Sequence, residues 1–291
     1  MSSVAHAPTW RVRHALPTNG GRRASGHPEG PAAAEHTVSV VIPAKNEAAN
    51  IGWVLNRLPA NLHEVILVDA SEDSTVEAAR SARPDVIVVE DPGCGKGAAL
   101  RAGFAAATGD FIVMLDADGS MDPGEIGRFI APLVDGYEMV KGSRCMEGGG
   151  SVDLSPLRRA GNQALVSLLN LLYGVWFTDL CYGFFAFRRD CLPTLSVCAT
   201  GFEIETELVV CAVRSDLRTT EVPSFEEARR HGESNLQTFS DGTRVLRTLL
   251  SKRLAPRPLP RRRSQARPGL AQGHRMPRLA FLPGARDSQA A

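Results

Sequence analysis

The run Phe111-Ile112-Val113-Met114-Leu115 is wholly apolar and stops at two carboxylates one residue apart, Asp116 and Asp118. An apolar run of this length reads as a strand covered on both faces, and side chains two apart on a strand point the same way. The two carboxylates therefore share a face if the extended backbone continues that far. At about 4 Å they repel by roughly 4 kcal/mol at an effective dielectric of about 20. Such a pair must be splayed, protonated or neutralised by a cation. A hard divalent ion suits it: magnesium commonly takes one or two carboxylates and leaves its other positions to water and substrate phosphates. The competing reading is an Asx-type turn, because Gly119, Ser120 and Asp122-Pro123 follow directly.

A pair held at a cleft needs a scaffold, and the preceding chain supplies an alternating one. Residues 37–44 (TVSVVIPA), 64–70 (EVILVDA) and 85–90 (DVIVVE) read as strands. Residues 47–58 show helical spacing at Ile51, Val54, Leu55 and Leu58, and residues 74–82 and 97–108 read as further helices. Strands alternating with helices of about ten residues predict βαβ units and an α/β fold with a mainly parallel sheet. Ligands of such sheets sit beyond the carboxyl ends of the strands. Asp69 and the Asp116/Asp118 pair fall there.

The second half is less regular. Residues 155–177 read as an amphipathic to apolar helix whose longest nearly uncharged run is too short for a span of about 20 residues. Residues 178–190 are aromatic-rich and broken at Gly183, residues 201–213 open another helix, and residues 219–225 form a short strand. Gly95-Lys96-Gly97 does not complete a P-loop, because Gly97 stands where Ser or Thr must follow the lysine.

The 291 residues carry a net charge of +1 that hides an asymmetry: −10 over residues 37–250, +2 over 1–36 and +9 over 251–291. An acidic core argues against nucleic-acid binding by the folded part. Six cysteines without a Cys-x-x-Cys pair read as free thiols of a reducing compartment, and Arg22-Arg23 has no apolar segment behind it. A cytoplasmic protein is expected. Residues 1–36 read as a disordered leader, 37–253 as the folded domain and 254–291 as a basic, Pro/Arg-rich tail. The tail is either a solvated extension or a patch for anionic lipid or nucleic acid.

With the elements placed, six stretches fall in a telling order: VVIPAKNEAANI (40–51), VDASEDST (68–75), GKGAALRAGFAAATGD (95–110), DADGS (116–120), KGSR (141–144) and EVPSFEEARRHGESNL (221–236). Together they resemble family 2 of the inverting glycosyltransferases, with its GT-A fold, and most closely the branch of dolichyl- and polyprenyl-phosphate hexosyltransferases. The resemblance implies a metal-dependent transfer of a hexose from a nucleotide-diphosphate sugar, of GDP-mannose or UDP-glucose type, to a polyprenyl phosphate. It implies that Pro43, Glu47 and Asp69 hold the nucleotide's base and ribose, with Lys45 replacing the family's stacking tyrosine by a charge. Asp116-Ala117-Asp118 resembles the D-x-D pair through which Mg²⁺ or Mn²⁺ bridges the diphosphate, and Ser120 stands where relatives supply a further polar ligand. Arg144 and Arg229 match family arginines that meet nucleotide diphosphate or acceptor phosphate, a role suited to forked guanidinium donors. Asp179 resembles an acidic residue that serves as base or acceptor-site organiser. Among Glu203, Glu205 and Glu207, the last best matches the family's helix glutamate.

Three positions depart from the pattern: Lys45, Ala70 for the second aspartate of V-D-D, and Asn235 for the lysine of S-K-L. They leave donor identity open. Two alternatives stand beside the lipid-phosphate acceptor: the same chemistry on a soluble or saccharide hydroxyl, and a non-catalytic nucleotide-sugar-binding protein. A hydroxyl acceptor needs a base within hydrogen-bond reach, whereas a phosphate is already anionic. A lipid acceptor would bring the chain to the inner face of a membrane as a peripheral protein. The segment from Ala164 to Phe177, with Arg158 and Arg159 before it, would then rest on the bilayer surface rather than serve as an ordinary core helix.

Overall fold

The computed structural model describes residues 36–233 and 238–256. The chain opens with β1 (Val38–Ala44), α1 (Ala48–Arg57), β2 (Glu64–Asp69), α2 (Thr75–Ala82), β3 (Ile87–Glu90), α3 (Lys96–Ala106) and β4 (Phe111–Met114). There follow α4 (Ile126–Val134), β5 (Met139–Ser143), β6 (Gly150–Ser151), α5 (Pro156–Tyr173), β7 (Phe185–Arg188) and α6 (Leu192–Leu195). The described chain closes with α7 (Ile204–Arg214), β8 (Thr219–Pro223), β9 (Phe225–Glu226) and α8 (Thr238–Leu254). Seven strands form one sheet in the order β3-β2-β1-β4-β7-β5-β8, and β6 pairs with β9 in a small parallel sheet. Every neighbouring pair of the large sheet is parallel except the two made by β7, which runs against both β4 and β5.

Strand alternation feeds two cores, one on each face. Val38, Val40 and Ile42 of β1 join Phe111 and Val113 of β4 against Ile51, Val54 and Leu55 of α1 and Phe129 and Leu133 of α4. The residues between them, Val41, Ile112 and Met114, turn the other way onto Leu100 and Phe104 of α3, Val166 and Leu169 of α5, Leu208 and Val209 of α7, and Val245 and Leu249 of α8. This period-two division is the signature of a sheet covered by helices on both sides.

The α3 helix lies unusually close to the sheet. A Cβ at Gly103 would stand 2.4 Å from Val41 Cγ1 and 2.8 Å from Val68 Cγ2. Gly103→Ala is therefore expected to destabilise the fold by about 1–3 kcal/mol through overpacking, read as a lower urea midpoint with unchanged slope.

The βαβ units through β4 lie where the sequence places them. The antiparallel β7, together with α4, β5 and α8, was not apparent from periodicity. The helix expected over 155–177 stops at Tyr173, where Gly174 turns left-handed at φ 67° and returns its N–H to the Asn170 carbonyl at 2.9 Å. It buries Asn162, Val166 and Leu169 while leaving Leu171 81% exposed; beyond it Trp176 is 86% exposed. Among the described residues no helix is long and apolar enough to cross a membrane. The expected leader up to residue 35 and all of the tail beyond Pro256 lie outside the described residues, as does Asn235.

Candidate active site

A cleft of about 380 Å³ opens beyond the carboxyl ends of β1 and β4. Pro43, Lys45 and Glu47 line it from the end of β1, and Asp116, Ala117 and Asp118 from the segment after β4. Ser120, Arg144 directly after β5, and Arg229 after β9 complete the set of predicted residues on its wall. β4 ends at Met114, so the Asp pair stands in a turn rather than on extended strand. Asp118 Oδ1 accepts the Ser120 N–H at 3.0 Å and its hydroxyl at 2.7 Å. The turn and the cleft are thus one feature. Gly119 makes it possible: its φ is +77°, and a Cβ there would lie 2.6 Å from Arg230 Cδ.

Protein cations neutralise both carboxylates. Lys96 Nζ sits 2.7 Å from Asp116 Oδ1 and 3.0 Å from Glu205 Oε1. Burial works against the Lys96 charge, but the two carboxylates outweigh it and hold the ammonium above its ordinary range. Burial pushes Asp116 up to about 6, with Lys96 opposing and the charges of Asp118 and Glu205 assisting. Arg229 bridges Asp118 Oδ2, at 3.3 Å, to Glu47 Oε1. It ties the first and last motifs of the chain together across the cleft.

Arg144 is held differently. Its Nε and Nη2 reach the two carboxylate oxygens of Asp179 at 2.7 and 3.0 Å, and its Nη1 reaches Glu226 Oε2 at 3.0 Å. Asp179 is fully buried and also accepts the Arg144 backbone N–H at 3.1 Å. Burial alone would raise its pKa; the Lys141 charge and the Arg144 hydrogen bonds more than offset this and bring it to about 2. Neither Asp179 nor Asp69 reaches the cleft wall. The Asp69 carboxylate, at the end of β2, takes the Ser71 hydroxyl at 2.7 Å and the Ser71 N–H at 3.2 Å.

Cleft residues that sequence reasoning gives no role include Lys96 and Glu226, and Glu205 rather than its neighbour Glu207 is the helix glutamate on the wall. The incomplete P-loop pattern around Lys96 gives the lysine no role. Its flanking glycines have another purpose, since a Cβ at Gly97 would lie 2.5 Å from the Ala199 carbonyl oxygen. Family matching favoured Glu207 over Glu205. In the structure Glu207 faces away from the cleft, pairing with Lys252 and accepting the Cys198 and Ala199 N–H groups at 2.8 and 2.6 Å. Glu207→Gln is therefore expected to cost about 1.5–3 kcal/mol of stability, as for a lost charged hydrogen bond, with nucleotide-sugar affinity unaltered by titration calorimetry.

A divalent ion fits the donor set. Asp116 and Asp118 would offer such an ion two hard carboxylates and Ser120 a hydroxyl beside them, the usual protein share when phosphate oxygens and water complete the shell. Among the described residues no group of three or more His, Cys, Asp or Glu forms a complete metal cage.

Comparison with known proteins agrees with this architecture. The profile described as Glycosyl transferase family 2 matches residues 39–195. The chain is 36% identical over 225 residues to the low-salt glycan biosynthesis hexosyltransferase Agl6 of Haloferax volcanii, covering 74% of this chain but 53% of that protein. It is 30% identical over 217 residues to the dolichyl-phosphate hexose transferase of the same organism, covering 73% of this chain and 92% of the relative. Among solved structures, glucosyl-3-phosphoglycerate synthase from Mycobacterium tuberculosis in complex with Mn²⁺, uridine diphosphate and phosphoglyceric acid superposes with a TM-score of 0.59 at 26% identity, covering 76% of this chain and 80% of that one. The mainly parallel sheet is that of the GT-A fold, and the chain belongs to glycosyl transferase family 2 as a glycosyltransferase.

Proposed function

We propose that the chain transfers a hexose, with inversion, from a nucleotide-diphosphate sugar to the phosphate of a polyprenyl phosphate. The carrying observation is the burial of Asp179 against Arg144. A carboxylate with both oxygens engaged by a guanidinium and a pKa near 2 is a poor proton acceptor. A phosphate nucleophile needs none. Asp179 is read here as the group that positions Arg144. The names of the dolichyl-phosphate relative and of an undecaprenyl-phosphate transferase support the same acceptor class.

In this reading Asp116 and Asp118 hold Mg²⁺ or Mn²⁺, with Ser120 fixing the orientation of Asp118. The ion supplies charge neutralisation to the departing diphosphate. Glu47 and Arg229 clamp the nucleotide side of the cleft, and Pro43 and Lys45 border the base. Asp69 shapes that border through Ser71. Lys96 holds Asp116 in place and keeps the acidic cluster from repelling the donor. Arg144, fixed by Asp179 and Glu226, presents positive charge on the acceptor side together with Arg158.

Contact with a membrane surface belongs to the same proposal. Leu171 and Trp176, and Leu250 and Leu254 of α8, are exposed apolar side chains, with Lys252 and Arg253 between the last two in sequence, and α8 meets the end of α5 where Arg253 Nε donates to the Leu172 carbonyl at 3.0 Å. The domain bounds 37–253 and a tail beyond them remain part of the proposed organisation.

The test is a donor panel. The purified protein is titrated with GDP-mannose, UDP-glucose and related donors, with Mn²⁺, with Mg²⁺ and with chelator, and assayed on prenyl phosphates and on soluble phosphoglycerate. One donor preferred in the presence of metal, with product only on the prenyl phosphate, is the expected result. Product on phosphoglycerate alone would transfer the assignment to a soluble acceptor, which the complex of the solved neighbour favours.

A further inference from the structure

Three segments that shape the donor side of the cleft meet at one aromatic ring outside it. Trp53, on α1, has the Arg57 guanidinium carbon 4.8 Å from its ring centroid and the Arg230 guanidinium carbon at 4.3 Å. Arg57 lies one turn further along α1 and also pairs with Asp122, just beyond the D-x-D turn, at 3.2 Å. Arg230 arrives from the chain after β9, and its stem crosses the same turn. A Cβ at Gly119 would stand 2.6 Å from Arg230 Cδ, 2.9 Å from Arg230 Cγ and 3.3 Å from Trp53 Cε3. The bare glycine is what lets these side chains close over the turn.

The backbone repeats the connection. The Arg230 N–H donates to the Asp118 carbonyl at 3.3 Å, the Glu227 N–H to the Ser120 carbonyl at 2.8 Å, and Asn50 Nδ2 of α1 to the His231 carbonyl at 3.1 Å. Among these ties stands Arg229, whose guanidinium reaches Glu47 and Asp118. The two adjacent arginines have different surroundings: Arg229 lines the cleft, whereas Arg230 is exposed and, like the half-buried Trp53, lies off its wall. A few backbone bonds along an exposed chain open easily. A guanidinium over an indole face adds a side-chain anchor there, one residue from Arg229.

We propose that Trp53 and Arg230 are positioning residues of the donor site: their stack pins the chain after β9 to the D-x-D turn and so holds Arg229 and Asp118 at the spacing that nucleotide binding uses. Neither side chain touches the donor. The assignment rests on the donor cleft described above and on no particular acceptor. It also gives the ring of Trp53, rather than its bulk alone, a part in nucleotide affinity.

The experiment titrates the full chain with UDP and with GDP in the presence of Mn²⁺ by calorimetry, and follows the tighter of the two through Arg230→Ala, Trp53→Phe, Trp53→Leu and the double variant Trp53→Leu/Arg230→Ala. Arg230→Ala should raise Kd about two- to fivefold, the range for one exposed cation–π contact. Trp53→Phe keeps an aromatic face and should stay closer to the wild type than Trp53→Leu. In the Trp53→Leu background, Arg230→Ala should have no further effect, because one contact cannot be lost twice. Hydrogen exchange without metal or nucleotide is a second readout. Peptides covering residues 116–122 and 226–231 should exchange faster in Arg230→Ala, while those of β1 and the urea midpoint stay as in the wild type. Equal weakening by Trp53→Phe and Trp53→Leu would reduce Trp53 to packing and overturn the proposal, as would additive losses in the double variant. A wild type that binds neither nucleotide would remove the donor reading and this one together, whereas intact binding with indifferent variants would remove the stack alone.

Discussion

Replacing Asp118 with asparagine is expected to lower kcat at least about a hundredfold, the scale seen when a preorganised electrostatic group is removed from a site of developing charge. The substitution keeps the shape of the side chain and an oxygen able to accept from Ser120, so the turn that now binds Ser120 N–H and hydroxyl survives. What disappears is one of the two formal charges offered to a divalent ion, together with one of the two carboxylate partners of Arg229. Chelation of the wild type should give a loss at least as large. Steady-state rates of the variant, measured across a Mn²⁺ titration, distinguish the two components. A rise in the metal concentration needed for half-maximal rate accompanies the fall in kcat if Asp118 is a ligand. Full activity of the wild type in chelator would remove the metal from the proposal.

The second large effect is on stability. Asp179→Ala should cost about 3–5 kcal/mol, because it strands the Arg144 guanidinium in a buried site whose charge was balanced by Asp179 and Glu226. The pKa of Asp179 is depressed on folding from 3.8 to about 2. Its ionisation therefore contributes stability that is fully present above about pH 4 and is lost as pH falls through about 2, the sign for a carboxylate stabilised in the folded state. Urea unfolding at neutral pH and again near pH 3 checks both parts: the wild-type midpoint should fall on acidification, and the variant's should fall less. A variant of wild-type stability that loses kcat, with the acidic limb of its rate profile abolished, would restore Asp179 as a general base.

Legibility followed the range of the interactions. The units from β1 through β4 are written in local periodicity: Ile51, Val54 and Leu55 recur at helical spacing, and alternation along Val38 to Ile42 distributes side chains to two cores. β7 is four residues with no alternation to read, and its antiparallel direction is decided by β4 and β5 on either side. Helix α4 carries Pro132 in its interior, which sequence rules read as an end. The D-x-D pair was found because apolar strand and acidic turn are adjacent in sequence. The Glu205/Glu207 choice was not readable in the same way. Two residues on a helix differ by about 200° in direction, so one faces the cleft and the other the opposite side, and only the packing of α7 says which. The Arg144–Asp179 pair spans 35 residues and the Arg229–Glu47 pair 182, distances over which no local pattern operates.

The most direct measurement follows the sugar itself. The purified full chain is incubated with Mn²⁺, its preferred radiolabelled nucleotide sugar and a polyprenyl phosphate in detergent, alongside soluble hydroxyl and phosphoglycerate acceptors, and the products are partitioned between organic and aqueous phases. Metal-dependent movement of label into the organic phase as a phosphodiester-linked sugar is the predicted result. Label confined to soluble product, with none extracted alongside the prenyl phosphate, would contradict it.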